Sequence, residues 1–186
     1  MVSQFISSDK VCLLGDLDFE FPEGIHAVGR LDNNSEGLLI LTTNKKVTRL
    51  LFLGDKPHKR VYLVQLNNIL SAANLEKLRT GVSIRVNATD HYTTPPCEVE
   101  IIDEPEKLYS AAFTMKEYGV HTWLLITLTE GKFRQVRKMM AAVKHRCKRL
   151  IRKSIEGLEL GNLETGAVKE MEEKDFFKKL NIEYRS

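Results

Sequence analysis

The chain has 186 residues, 42% of them hydrophobic, with five prolines, a net charge of +3 and no low-complexity tract. That length supports one or two lobes with a genuine core and excludes a disordered or fibrous protein. The longest apolar runs, Gly37 to Leu41 and Trp123 to Leu128, are too short to span a membrane, and Met1 to Lys10 lacks the charged-then-apolar pattern of a signal peptide, so a cytoplasmic protein without a membrane partner is expected. Cys12, Cys97 and Cys147 are odd in number, far apart and outside any CxxC pair, which favours reduced thiols over a disulfide framework or a zinc site.

Gly24 to Val28 and Gly37 to Thr43 read as short buried strands, and the stretch GRLDNNSEG between them places a single aspartate, Asp32, on their connection. Asn44 can cap a helix running to about Leu53, in which Val47, Leu50 and Leu51 share one face. Arg60 to Leu66 alternates as a strand, with Tyr62, Val64 and Leu66 on one side. Ser71 to Thr80, with a serine cap in front and Gly81 behind, is a helix; Val82 to Val86 and Cys97 to Ile102 are strands separated by a loop at Pro95 and Pro96.

The next unit is the most informative. Trp123 to Leu128 is a strand, Glu130 and Gly131 make a turn, and Phe133 to Lys144 has helical periodicity, with Val136, Met139, Met140 and Val143 on one apolar face. At roughly 100° per residue, Arg137 lies at the border of that stripe whereas Arg134 and Lys138 point outward. Cys147 to Ile155 and Leu158 to Leu160 read as strands, and Lys174 to Leu180 as a charged helix. No repeat or flexible linker divides the chain. The pattern predicts an α/β (α+β) unit of one or two lobes, with a mixed, largely antiparallel sheet flanked by helices.

The charge is unevenly spread. Of the 28 lysines and arginines, ten fall between Lys132 and Lys153, a stretch with no Asp or Glu; the other 18 share the rest of the chain with all 25 acidic residues. A basic segment on an acidic body points to a polyanionic partner, RNA or DNA, because neutralising phosphates releases counterions and supplies sequence-independent affinity. A merely solvated charged face is the plainer alternative.

Three motifs carry a resemblance. GRLDNNSEGLLILTTN (Gly29 to Asn44), RVYLV (Arg60 to Val64) and EGKFRQVRKM (Glu130 to Met139), with RLIR (Arg149 to Arg152) downstream, resemble in order and spacing the RsuA-type branch of the bacterial ribosomal RNA pseudouridine synthases. The likeness runs from about Gly24 to about Gly166, and the short chain is most similar to members that act on large-subunit ribosomal RNA and lack an N-terminal S4 RNA-binding domain. The resemblance implies a single catalytic domain that isomerises a uridine of pre-ribosomal large-subunit RNA to pseudouridine, as a monomer, with no cofactor and no metal. No P-loop, GxGxxG or cluster of metal ligands stands in the sequence.

The resemblance also implies site residues. Asp32 matches the family's nucleophile, Arg137 the arginine that keeps it ionised through charge-assisted hydrogen bonds, and Tyr62 the tyrosine that stacks on the base and takes part in proton transfer. Arg30, Arg60, Lys132, Arg134, Gln135, Lys138, Arg149 and Arg152 are expected to hold the RNA. Taken alone, Asp32 would be a turn residue, Tyr62 a half-buried core residue and Arg137 a solvated helix residue. The motifs reverse those readings. The chain departs from the family pattern at Arg60, where lysine is usual, and at Phe133, where a polar residue is common. It also starts almost at SQFIS, so the Asn-Lys-Pro strand that opens the catalytic domain in relatives is expected to be missing. A catalytically idle RNA-binding or ribosome-assembly factor using the same basic face is the alternative function.

Overall fold

The computed structural model describes residues 1–52, 56–110 and 119–183. In chain order its elements are β1 (His26–Val28), β2 (Glu36–Gly37), β3 (Ile40–Thr42), α1 (Val47–Phe52), β4 (Arg60–Asn67), α2 (Ala72–Thr80), β5 (Ser83–Arg85), β6 (His91–Thr93), β7 (Glu98–Ile102), β8 (His121–Leu128), α3 (Gln135–Ala142), β9 (Cys147–Ile155), β10 (Leu158–Glu159) and α4 (Glu173–Lys179). The expected end of the first helix, about Leu53, lies outside the described residues.

Strand β4 is apolar on both faces, with Leu63, Val64 and Leu66 fully buried. A strand of that kind belongs in the interior of a sheet. It runs antiparallel to β8 on one side and β9 on the other, and the sheet order is β10-β9-β4-β8-β7, with β2 added to β9 as its one parallel partner. The expected mixed, largely antiparallel sheet is what forms. One face carries Val64, Leu66, Leu124, Ile126 and Leu150 and is covered by α2, by β5 and by the apolar stripe of α3, Val136, Met139 and Met140. The opposite face packs Leu63, Trp123 and Ile151 against Tyr109 and Leu160. A third cluster joins β1, β3, α1, β10 and α4 around Val28, Val47, Ile155 and Phe177.

Strand β9 sorts its basic residues by bulging. Its pairing with β4 slips twice, between Val61 and Tyr62 and between Gln65 and Leu66, and the residues passed over on β9 are Lys153 and Lys148. A bulge leaves one residue unpaired and lets its side chain turn from the ladder. Lys148 is accordingly exposed and Lys153 half-buried, while Arg149 and Arg152 stay inside.

Three local expectations are corrected. The strand expected from Gly37 to Thr43 is two strands, because Gly37 has φ +104 and turns the chain off β9 so that Ile40–Thr42 can pair with β1. The strand His91–Thr93 has no apolar alternation to announce it and is held by pairing with β5. The helix expected from Phe133 begins at Gln135, because Arg134 takes a left-handed conformation, φ 52, ahead of it. The capped helix Ala72–Thr80 agrees with expectation: Ser71 Oγ accepts from Asn74 N at 3.3 Å, and Gly81 follows at φ 112.

A Cβ at Gly37 would lie 2.4 Å from the Arg152 carbonyl oxygen and 2.6 Å from its nitrogen. Gly37→Ala combines that clash with a positive φ, and should destabilise the protein by on the order of 3 kcal/mol in urea unfolding. Gly161→Ala, also at positive φ but with nothing within 4 Å, should cost about 1 kcal/mol.

Candidate active site

The loop that carries Asp32 is fastened along its length. It leaves β1 through Gly29, φ 72, whose backbone lies so close to the Phe52 ring that a Cβ would come within 3.2 Å of it. Ser3 Oγ donates to the Leu31 carbonyl at 3.1 Å and accepts from the Leu31 N–H at 2.9 Å, satisfying both backbone groups of the residue before Asp32. The Asp32 carbonyl accepts from Ser35 N at 2.8 Å, which closes a turn over residues 32–35. Beyond it, Glu36 receives a two-pronged hydrogen bond from Arg149, Nε to Oε1 at 2.9 Å and Nη2 to Oε2 at 2.7 Å. Such forked pairs fix geometry as well as charge.

Arg137 meets the same loop from α3. Its Nη2 donates to the Asn34 carbonyl and to Ser35 Oγ at 3.3 Å, and its Nη1 donates to the Cys147 carbonyl at 3.2 Å. The resemblance implied an ion pair between Arg137 and Asp32. Among the described residues Arg137 instead grips Asn34 and Ser35, the second and third residues after Asp32, because both terminal nitrogens are committed to backbone and hydroxyl oxygens; its Nε is buried and unpartnered. Burial beside it pushes the Cys147 thiol up to about 11, against the opposing pull of the Arg137 cation, so this cysteine is a poor nucleophile at neutral pH.

Tyr62 stands on the sheet face that α3 covers. It lies directly opposite Arg152 on β9 and two residues from Arg60 on β4, so the three side chains share that face. Arg152 Nε donates to the Leu38 carbonyl at 2.8 Å, and Arg60 lies 4.8 Å from the centre of the Phe52 ring. Burial holds both guanidinium groups below the usual arginine range, while the nearby Tyr62 oxygen favours their charged forms.

The residues expected to hold RNA fall into two groups. Arg30, Lys132 and Arg134 are exposed, and Lys138 is half-buried with its ammonium 5.4 Å from the ring of the largely exposed Phe133. Gln135, Arg149, Arg60 and Arg152 are buried. Gln135 ties the turn before α3, accepting from Lys132 N at 2.8 Å and donating to Glu130 at 2.5 Å; Glu130 also accepts from the Tyr92 phenol, which raises that phenol's pKa. Gln135 and Arg149 are thus positioning residues rather than surface contacts. Nothing in the sequence points to the Ser3 clamp, since a serine 28 residues upstream has no periodic relation to the loop, and Glu36 reveals nothing of its partner 113 residues away.

This arrangement can be set beside known proteins. A family model described as RNA pseudouridylate synthase matches residues 16–142. The chain belongs to the RNA pseudouridylate synthase family. It is 34% identical to the ribosomal large subunit pseudouridine synthase E of Vibrio parahaemolyticus over 174 residues, 92% of this chain and 69% of that one. It is 32% identical over 126 residues, 68% of this chain and 37% of the relative, to the ribosomal large subunit pseudouridine synthase B of Escherichia coli K12. A crystal structure of a pseudouridylate synthase shares the fold, with a TM-score of 0.69 at 24% identity, over 87% of this chain and 63% of that one. The chain thus spans about two thirds of the length of the first relative and of the solved structure. The likeness carried by the three motifs is borne out, and the pseudouridylate synthase fold is the one that resemblance implied.

In this family member Ser3 lies outside the matched segment yet holds the loop that carries Asp32. Ser3→Ala removes both hydrogen bonds to Leu31 and should cost about 1–2 kcal/mol. Faster hydrogen exchange at the Leu31 amide, with the core strands unchanged, is the expected signature. Ser3→Thr, which keeps the hydroxyl, should restore protection.

Proposed function

We propose that this protein converts a uridine of large-subunit ribosomal RNA to pseudouridine, with Asp32 as nucleophile, Tyr62 as the stacking and proton-carrying residue and Arg137 as the residue that sets the nucleophile loop. The observation that carries this reading is the convergence of the Asp32 loop with Arg137: a half-buried carboxylate on a short turn, whose Asn34 and Ser35 are held by a guanidinium from α3. Family membership supplies the reaction, and the likeness to ribosomal large subunit pseudouridine synthases supplies the RNA.

The chemistry asks little beyond position and charge. The N1–C1′ bond of the target uridine breaks, the base turns, and C5 bonds to C1′; C5 loses a proton and N1 gains one, so atoms and electrons balance without a redox partner. An ionised carboxylate can close on C1′ and leave again when C5 returns. Tyr62, half-buried on a rigid central strand, offers a ring for the base and a hydroxyl for proton exchange. A uridine in structured RNA must be flipped out to reach such a site. Exposed Lys132, Arg134 and Lys148 are the cations we assign to the phosphates on either side.

Asp32→Asn should abolish pseudouridine formation, scored by carbodiimide primer extension on ribosomal RNA, while RNA affinity changes less than about threefold, because the amide keeps the shape but is no nucleophile. Wild-type turnover in that variant would overturn the assignment of Asp32, and a wild-type protein that binds RNA without modifying it would favour an assembly factor. Replacing Lys148 with Gln should leave turnover at saturating RNA intact and reduce the slope of log affinity against log salt by about 0.7–0.9.

A further inference from the structure

Neither Arg60 nor Arg152 has an ion-pair partner among the described residues; burial outweighs Glu156 near Arg60 and the Tyr62 hydroxyl bonded to Arg152, which favour the charged forms. Arg60 is 7% exposed, its Nη1 is buried without a hydrogen-bond partner, and among the described residues its guanidinium forms no ion pair. Arg152 is 5% exposed; one nitrogen reaches the Leu38 carbonyl, while its Nη2 is buried and unpartnered. The two cations are close enough for Arg60 to oppose the charge of Arg152, and Tyr62 is the neighbour both share. An uncompensated buried cation is costly, and two side by side are costlier. Apolar side chains of the same size would suit a merely structural position better.

The surroundings identify the ligand. The Phe52 ring is close both to Gly29 of the Asp32 loop and to the Arg60 guanidinium, and a Cβ on Gly131, in the turn before α3, would come 3.5 Å from Arg60 Nη1. The two cations therefore neighbour the Tyr62 ring and the α3 turn, with Phe52 linking Arg60 to the Asp32 loop. A phosphodiester is tied to the RNA strand and is met by the exposed cations. A planar anion freed inside the site is what two buried guanidinium forks and an aromatic ring would suit.

We propose that Arg60 and Arg152 hold the uracil anion between its departure from the ribose and its return. This rests on the pseudouridine synthase reading. When the N1–C1′ bond breaks, its electron pair leaves with the base, and the charge spreads over N1, O2 and O4. Asp32 takes C1′, and the two arginines donate hydrogen bonds to the carbonyl oxygens of the base while it turns. C5 then bonds to C1′, the carboxylate leaves, the C5 proton departs and N1 takes one up. The arginines stay protonated throughout.

The test uses Arg60→Met and Arg152→Met in single-turnover reactions with saturating enzyme, on an RNA fragment carrying uridine or 5-fluorouridine at the target. Nucleosides are separated after nuclease digestion. Each variant should lose about 100-fold or more in the rate of uridine consumption, with RNA affinity changed by only a few-fold. The loss should shrink to about tenfold or less on 5-fluorouridine, whose base leaves as a more stable anion. Both variants should melt at or above the wild-type temperature, because an apolar chain replaces an unpaired buried charge. Equal losses on the two substrates would overturn the proposal. So would a loss confined to RNA affinity, which would make the pair a phosphate contact, or a large fall in melting temperature, which would make it structural. Wild-type protein that consumes neither substrate would instead remove the pseudouridine synthase reading, and this proposal with it.

Discussion

The close passage of Gly37 over the Arg152 peptide is the constraint on which the site depends. With no side chain at residue 37, a two-residue strand can lie parallel against β9, at Ile151 and Arg152, before the chain turns away to pair with β1. That splice connects two bodies of packing: the cluster around β1, β3, α1 and α4, and the main sheet under α3. Asp32 lies just upstream of the splice. Its loop therefore inherits the rigidity of the main sheet although it is itself irregular, which is how a precise site can be built from turn residues.

The basic segment does two physically different jobs. Its exposed members, Lys132, Arg134 and Lys148, sit in water, where a cation costs little and attracts phosphate from a distance. Its buried members are arginines, which is the expected choice where a cation must lose water yet keep its charge. Arg149 recovers the loss by a forked pair with Glu36, and Arg137 by two carbonyls and a hydroxyl. The two bulges of β9 make this division possible in a strand where basic residues stand next to one another, because each bulge passes over a lysine and keeps the adjacent arginine in register.

Much of this was legible in the chain. The alternation of Arg60 to Leu66 predicted a strand with Tyr62 on one face, and the apolar stripe of Val136, Met139 and Met140 placed Arg137 at its border, half-buried, where it is found. What escaped were facts that depend on distant partners. Charge counting grouped Arg149 with the surface lysines because it cannot see Glu36, and the motif resemblance put Gln135 among the RNA contacts because it cannot show that Glu130 and the Lys132 amide occupy its side chain. The break at Gly37 rests on a backbone dihedral that an apolar run does not betray, and β6 exists only because β5 is beside it. The Ser3 clamp joins two irregular segments, and periodicity has nothing to say about either.

The order of these parts along the chain sets when the site can exist. Asp32 and its turn are made early in synthesis, but Arg137, Arg149 and the β9 ladder that fasten them come more than 100 residues later. At ordinary elongation rates that interval is on the order of ten seconds. Throughout it the emerging polypeptide carries its carboxylate on an unanchored stretch, and the central strand β4 waits for both of its antiparallel neighbours. In a nascent chain the Asp32 loop therefore cannot be fastened as it is in the folded protein until β9 has cleared the exit tunnel.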